Sequence, residues 1–220
     1  MQDYLDKNEA YFSAARRDIV ALLPDSTDRV LELGCGAGGT LAWLKSSGRA
    51  RHTVGIEIFA AAAQKARAVV DEVYCQDFDN SSASNGLGTF DLILCLDVLE
   101  HFVDPWRAVD RLVREHLAEG GTILVSVPNV RHYSVLLPLA FQGRWNYTDQ
   151  GPLDRTHLRF FTYASALQLL RHPQLGAPRC LRPGFAPGSP KAVFNFVTLG
   201  CLREFLAFHY LVSAIKGNAS

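Results

Sequence analysis

Three kinds of residue stand where they can do chemistry together: closely spaced glycines, carboxylates at intervals after them, and two histidines further along. Residues 30–39 read VLELGCGAGG, an apolar run that stops at Gly34, Gly36 and Gly39. Glycines after a strand let the backbone turn sharply and bring bare N–H groups against a ligand at the start of the next helix. A nucleotide-type cofactor is therefore the first expectation. The glycines alone do not select it, because the same three satisfy the dinucleotide pattern G-x-G-x-x-G. Glu57 follows roughly 20 residues later, a spacing at which a carboxylate accepts hydrogen bonds from both hydroxyls of a ribose.

Positioning these groups needs strands that end along one edge. The run before Gly34 is the first strand, a short helix follows near 40–47, and a second strand over 52–58 ends on Glu57, completing a β-α-β unit. The alanine-rich stretch 59–70 is a strong helix former, Glu72–Cys75 is a short strand, and 81–88 is a polar loop. Phe90–Leu96, FDLILCL, reads as a strand buried on both faces. Asp104 then caps a helix with Pro105 at its first position. Val109, Leu112, Val113, His116 and Leu117 form that helix's apolar face, and Gly120-Gly121 ends it before a buried strand over 122–127.

Regular periodicity fades across 130–162, where aromatic and polar residues mix, and such a stretch in a compact domain is expected to cover a substrate. A helix resumes at 163–170, the proline- and glycine-rich segment 176–190 is expected to loop around a short strand near Cys180, and His209–Ile215 suits a last strand. Ahead of the first strand, Tyr11, Ala14, Ala15, Ile19, Leu22 and Leu23 fall at helical spacing and stop at Pro24. Alternating strands and helices imply a largely parallel sheet covered on both sides, with the ligand at the carboxyl ends of the strands.

Length and composition narrow the function classes. A chain of 220 residues suits one α/β domain over 1–220. With 22 basic and 22 acidic residues there is no net field to hold nucleic acid, so bulk nucleic-acid binding is not expected. Five cysteines, odd in number and without a C-x-x-C pair, fit reduced thiols and a cytoplasmic location. The apolar stretch 192–215 is interrupted by Arg203 and Glu204, so no transmembrane segment is expected; peripheral membrane contact and oligomeric state stay open.

The motifs VLELGCGAG, Glu57, Asp77 and FDLILCLDVLEHF together resemble the class I S-adenosylmethionine-dependent methyltransferases, over roughly residues 28–129 and most specifically in DVLEH at 97–101. The resemblance implies a Rossmann-like, seven-stranded, mostly parallel sheet with helices on both faces and an antiparallel last strand. It implies S-adenosylmethionine as cofactor, with Gly34, Cys35 and Gly36 along the methionine moiety and Glu57, with Ile58, on the ribose. Asp77 and Phe78 would meet the adenine, and carbonyls near Leu96 the ammonium group. Glu32 lies inside a strand and is read either as a structural carboxylate or as a cofactor contact.

The segment 146–162, NYTDQGPLDRTHLRFFT, also looks like the stretch after the core in a bacterial subgroup that modifies small molecules or cell-surface glycans. The acceptor is then an oxygen or nitrogen of a small metabolite or sugar-containing precursor. His157 and His101 are the candidate general bases, because a histidine titrates near neutrality. Trp145, Tyr147, Asp154 and Arg159 are candidate substrate contacts. Each has a plainer reading: His101 bonded to backbone at a helix start, the aromatics as packing, Asp154 as a turn cap, Arg159 as its ion partner. His52, His116, His132, His172 and His209 lack companion carboxylates or cysteines at ligand spacing, so no metal site is expected. Two competing functions remain, a non-catalytic methyltransferase-like partner protein and an NAD(P)-dependent oxidoreductase.

Overall fold

A computed structural model describes residues 15–79, 86–181, 185 and 188–217. Seven strands form one sheet: β1 (Thr27–Leu33), β2 (Ala50–Glu57), β3 (Glu72–Cys75), β4 (Phe90–Leu96), β5 (Leu117–Pro128), β6 (Arg179–Leu181) and β7 (His209–Ile215). Their order is β3-β2-β1-β4-β5-β7-β6. The first five in that order pair in parallel, while β7 runs antiparallel to both β5 and β6. The chain builds outward from β1 to β3, then returns to place β4 on the other side of β1. That reversal opens a crevice at the carboxyl ends of β1 and β4, where ligands of such sheets sit.

The central strands are apolar throughout because both of their faces are covered. Along β1 and β4, Leu31, Leu33, Ile93 and Cys95 pack on one face with Ala108, Val109 and Leu112. Val30, Leu92 and Leu94 pack on the other with Leu41, Leu44 and Ala66. Strand alternation thus sends neighbouring residues into two separate cores, one under helices Pro105–Arg111 and Tyr163–Leu169, the other under Gly39–Ser46 and Ala60–Ala66. Leu94 is fully buried, and its truncation to alanine costs about 2–5 kcal/mol.

Asp104 caps its helix as expected, its carboxylate accepting from Arg107 N at 3.0 Å. The same helix ends earlier than the apolar pattern suggests. After Arg111 it widens into a π turn, Leu112–His116, and β5 begins at Leu117 instead of beyond the Gly120-Gly121 pair. Buried Lys216 explains the stop: its ammonium donates to the carbonyls of Val113 and Leu117, both at 2.9 Å, ending the helix with a cation. The 130–162 stretch holds a ten-residue helix, Tyr133–Gln142, which Pro138 and the lack of charged residues hide from a periodicity reading. Pro190–Val197 and Arg203–Leu206 are further short helices within the late apolar stretch. Before β1 the chain forms a 3₁₀ helix, Arg17–Leu22; the earlier part of the expected opening helix, residues 81–85 of the polar loop, and parts of 176–190 lie outside the described residues.

Candidate functional site

The glycine turn is anchored to the end of β2. Gly34 and Cys35 both donate their N–H groups to the Ile56 carbonyl, at 2.8 and 3.1 Å. Gly34 has a φ of +73°, and a side chain there would lie 2.6 Å from Val98 Cγ2. Both facts require glycine. Gly38, at φ +82°, starts the next helix against Val70, and a Cβ would meet that side chain at the same 2.6 Å. Glu57 closes the turn from the neighbouring strand: its Oε2 accepts from Gly36 N at 2.8 Å and its Oε1 from Phe59 N at 2.9 Å. Burial raises the Glu57 pKa, and the backbone donors oppose that shift.

Glu32, one strand inward, is 4% exposed. Burial pushes its pKa up to about 8; the Thr40 hydrogen bond and the Arg16 charge oppose this, and Glu57 adds to it. Among the described residues, its Oε2 has no hydrogen-bond partner, and neither has the Gln76 amide nitrogen. Both residues face one cavity of about 580 Å³, which is therefore built for a ligand carrying donors and acceptors. Burial, with the Glu32 charge behind it, holds the Cys35 and Cys95 thiols well above their ordinary pKa, so neither is a thiolate nucleophile.

At the end of β4 the backbone enters the left-handed region at Asp97, with φ +52°. This conformation is uncommon outside glycine, though aspartate tolerates it better than most residues. Its N–H donates to the Ser126 carbonyl at 3.0 Å, and its carboxylate accepts from Ser126 Oγ at 2.7 Å and from the Arg16 guanidinium. Arg16 also reaches Asp18, at 2.9 Å. The charge and hydrogen bonds of the two aspartates outweigh burial and raise its pKa.

The family description "methyltransferase domain" matches residues 7–175. This chain belongs to the methyltransferase domain family. A ubiquinone biosynthesis O-methyltransferase from Alkalilimnicola ehrlichii is 33% identical over 119 residues, 50% of this chain and 46% of that protein, so the match spans about half the relative's length. A SAM dependent methyltransferase from Archaeoglobus fulgidus superposes with a TM-score of 0.64 at 17% identity, covering 94% of this chain and 97% of that one. For an S-adenosylmethionine dependent methyltransferase from Mesorhizobium loti the TM-score is 0.62 at 21% identity, over 96% and 100%. The plantazolicin methyltransferase, solved with SAH, gives 0.60 at 20%, over 99% and 84%. These structures share the fold, a Rossmann-like mostly parallel sheet of seven strands.

In this methyltransferase domain all nine expected cofactor contacts line the one cavity: Glu32, Gly34, Cys35, Gly36, Glu57, Ile58, Asp77, Phe78 and Leu96. His101 lines it too, with its Nδ1 3.1 Å from the Thr156 carbonyl. His157 is 8% exposed and stands behind His101, ring centroids 4.8 Å apart. Trp145, Tyr147, Asp154 and Arg159 are outside the cavity lining. Trp145 packs edge-on against Phe160, and Tyr147 is surface-exposed. Asp154 is 2% exposed; its carboxylate accepts from Thr156 N and Oγ1, at 2.9 and 2.6 Å, so it shapes the turn that carries His157. Arg159 donates to the carbonyls of Leu158 and of Val103, and the latter residue stands at the cavity wall. Arg16 and Thr40 also line the cavity, and no local pattern marks them; Gln76 and Asp97 stand beside Asp77 and Leu96 at the strand ends, and Glu100 lies within DVLEH. Arg16 reaches Asp97 across 81 positions of chain, a separation at which no local pattern exists.

Proposed function

We propose that this chain is an S-adenosylmethionine-dependent methyltransferase acting on an oxygen or nitrogen of a small metabolite or sugar-containing precursor. The observation that carries this reading is the convergence of Glu57, Asp77 and the Gly34–Gly36 backbone on one cavity, in which Glu32 Oε2 and the Gln76 amide await partners. The donor set fits the cofactor. The Glu57 carboxylate, already oriented by two backbone N–H groups, has lone pairs left for ribose hydroxyls. Asp77 would accept from the adenine amino group beside Phe78, and Glu32 with the Leu96 carbonyl would receive the ammonium.

When bound, the cofactor supplies a methyl group on a positively charged sulfur, open to in-line displacement. The protein's part is then to hold an acceptor on axis, to keep water out and to take one proton. His101 is placed for the last task. A carbonyl at Thr156 accepts from its Nδ1–H, leaving Nε2 as the basic nitrogen of a ring that borders the cavity. His157 and Glu100 stand behind it. Segment 130–162 would cover the acceptor, with Arg159 near the cavity wall and Trp145, Tyr147 and Asp154 supporting the cover. The Alkalilimnicola ehrlichii relative is an O-methyltransferase, which favours oxygen.

The test is a thermal-shift and turnover pair. SAH at 100 times its dissociation constant should stabilise the protein by about 2.7 kcal/mol, and labelled S-adenosylmethionine should pass its methyl to a hydroxyl or amine from an acceptor panel. Protection by NADH with none by SAH would overturn the reading. Firm SAH binding without turnover, with a stable protein partner on pull-down, would replace it by the non-catalytic one.

A further inference from the structure

Glu100, His101 and His157 come together beside the cavity, although the third is 56 residues of chain from the second. Glu100 and His101 sit on the 3₁₀ turn Leu99–His101 that follows β4. His157 arrives on the turn built by Asp154. One ligand atom from each of the three lies within 4.8 Å of the others, and His157 Nε2 is 3.8 Å from Glu100 Oε1. The two imidazoles meet edge to face at 69°.

Protonation follows from the backbone. His101 Nδ1 faces the Thr156 carbonyl at 3.1 Å, and His157 Nδ1 faces the Pro152 carbonyl at 3.3 Å. A carbonyl only accepts, so each Nδ1 carries a hydrogen and Nε2 is the atom each ring can offer as a ligand. Glu100 is 1% exposed and contributes a carboxyl oxygen. Two imidazole nitrogens and a carboxyl oxygen thus share one partly buried spot.

We propose that Glu100, His101 and His157 bind a divalent transition-metal ion of the zinc class at the wall of the methyl-transfer cavity. Two imidazoles and one carboxylate form a donor set that holds zinc-type ions while leaving a coordination position open. Metal-ligating histidines typically donate their other N–H to a carbonyl or carboxylate, as both do here. With metal–ligand bonds of about 2.0–2.2 Å at tetrahedral angles, two ligand atoms stand roughly 3.4 Å apart. The 3.8 Å pair is close to that separation, and the widest separation, at most 4.8 Å, closes with side-chain shifts of the order of 1 Å from both partners.

The framework holds the three groups in register without the ion. Leu158 and Arg159 both donate their N–H groups to the Glu100 carbonyl, at 2.8 and 3.0 Å, and His157 N donates to the Asp154 carbonyl at 3.0 Å. The loop bearing His157 is therefore bonded to the peptide that bears Glu100. Asp154 and Thr156 act as positioning residues for the site.

His101 borders the cavity, so an ion held there would stand at the cavity wall. What the ion does there rests on the methyl-transfer reading above, and it selects oxygen over nitrogen. A hydroxyl bound to the ion becomes more acidic, as metal-bound water does. With Nε2 on the ion, His101 would act through the metal and no longer as the base: the proton would pass to solvent, an oxygen lone pair would form the bond to the methyl carbon, and the carbon–sulfur pair would return to sulfur, leaving a neutral thioether. The ion stays divalent throughout.

The full chain, stripped with a chelator, is titrated with Zn²⁺ against a chromophoric competitor and separately with Co²⁺, whose visible absorption reports the number of ligands. One ion per chain is expected. His157→Ala and Glu100→Gln should each weaken uptake by more than the roughly 10–100-fold that loss of an outer partner costs, with SAH protection retained as proof of fold. His52→Ala, at a surface site beside Asp71 and Glu72, should change nothing. No stoichiometric uptake by stripped protein that SAH still protects would overturn the metal site. Uptake undiminished in both His157→Ala and Glu100→Gln would overturn it equally. Loss of SAH protection in the unmodified protein would sink the methyl-transfer reading instead, whatever the metal does.

Discussion

Replacing Glu32 by glutamine should invert the usual cost of altering a buried polar residue. The carboxyl is 4% exposed, and burial raises its pKa from 4.5 to about 8. Between those values the unfolded chain has released the proton and the folded chain still holds it. Unfolding is then favoured as pH rises, and the native state loses about 1.36 kcal/mol per pH unit across that window. From pH 5 to pH 8 the loss amounts to about 3–4 kcal/mol, and it levels off above pH 8. Glutamine fills the same space, still accepts from Thr40 and does not titrate. The Glu32→Gln protein should therefore match the unmodified protein within about 1 kcal/mol at pH 5 and exceed it by about 4 kcal/mol at pH 8. In a domain of this size the pH-dependent part corresponds to a relative Tm gain of roughly 7–14 °C. Urea unfolding followed by circular dichroism at both pH values measures the double difference, in which other titrating groups cancel. A stability gap that stays constant from pH 5 to pH 8 would refute the assignment. SAH supplies a second readout. Its ammonium favours the ionised carboxylate, so affinity for the unmodified protein should rise up to pH 8 while that of Glu32→Gln stays flat.

The other expectations concern the turn, the ribose acid and a control far from the cavity. Glu57→Ala leaves the Gly36 and Phe59 N–H groups without their acceptor, which costs about 2–4 kcal/mol in a denaturant titration, and SAH should give no thermal protection. Gly34→Ala places a methyl 2.6 Å from Val98 Cγ2 at φ +73°; the left-handed alanine alone costs about 1–2 kcal/mol. Adding Val98→Ala to Gly34→Ala should recover the contact part of the loss and none of the backbone part, as read by calorimetry. Asp104→Ala removes the acceptor for Arg107 N and should lower stability by about 1 kcal/mol with SAH affinity unchanged.

Some of this molecule could be read from the chain because the signals are local. β4 and β7 lie where their apolar runs place them, since a strand covered on both faces needs an unbroken run of such residues, and the short edge strand β3 also falls at Glu72–Cys75 as expected. Asp104-Pro105 marks a helix start by its own hydrogen bond. The nine expected cofactor contacts share a cavity because parallel strands deliver the residues that follow them to one edge. Other features escaped for equally physical reasons. Pro138 masks the helix Tyr133–Gln142, and the end of the helix after Asp104 depends on Lys216, about a hundred residues away.

The succession of strands along the chain, the glycine turn and the acids at its rim were thus determined by the sequence itself, through backbone preference and the runs of buried positions. Only the tertiary structure decided that Arg16 pairs with Asp97 and Ser126, and that Asp154 shapes a turn. It also decided that Glu100, His101 and His157 form one cluster. Those contacts join segments distant in the chain, and their geometry is set by how loops pack over the sheet, which no spacing of residues encodes.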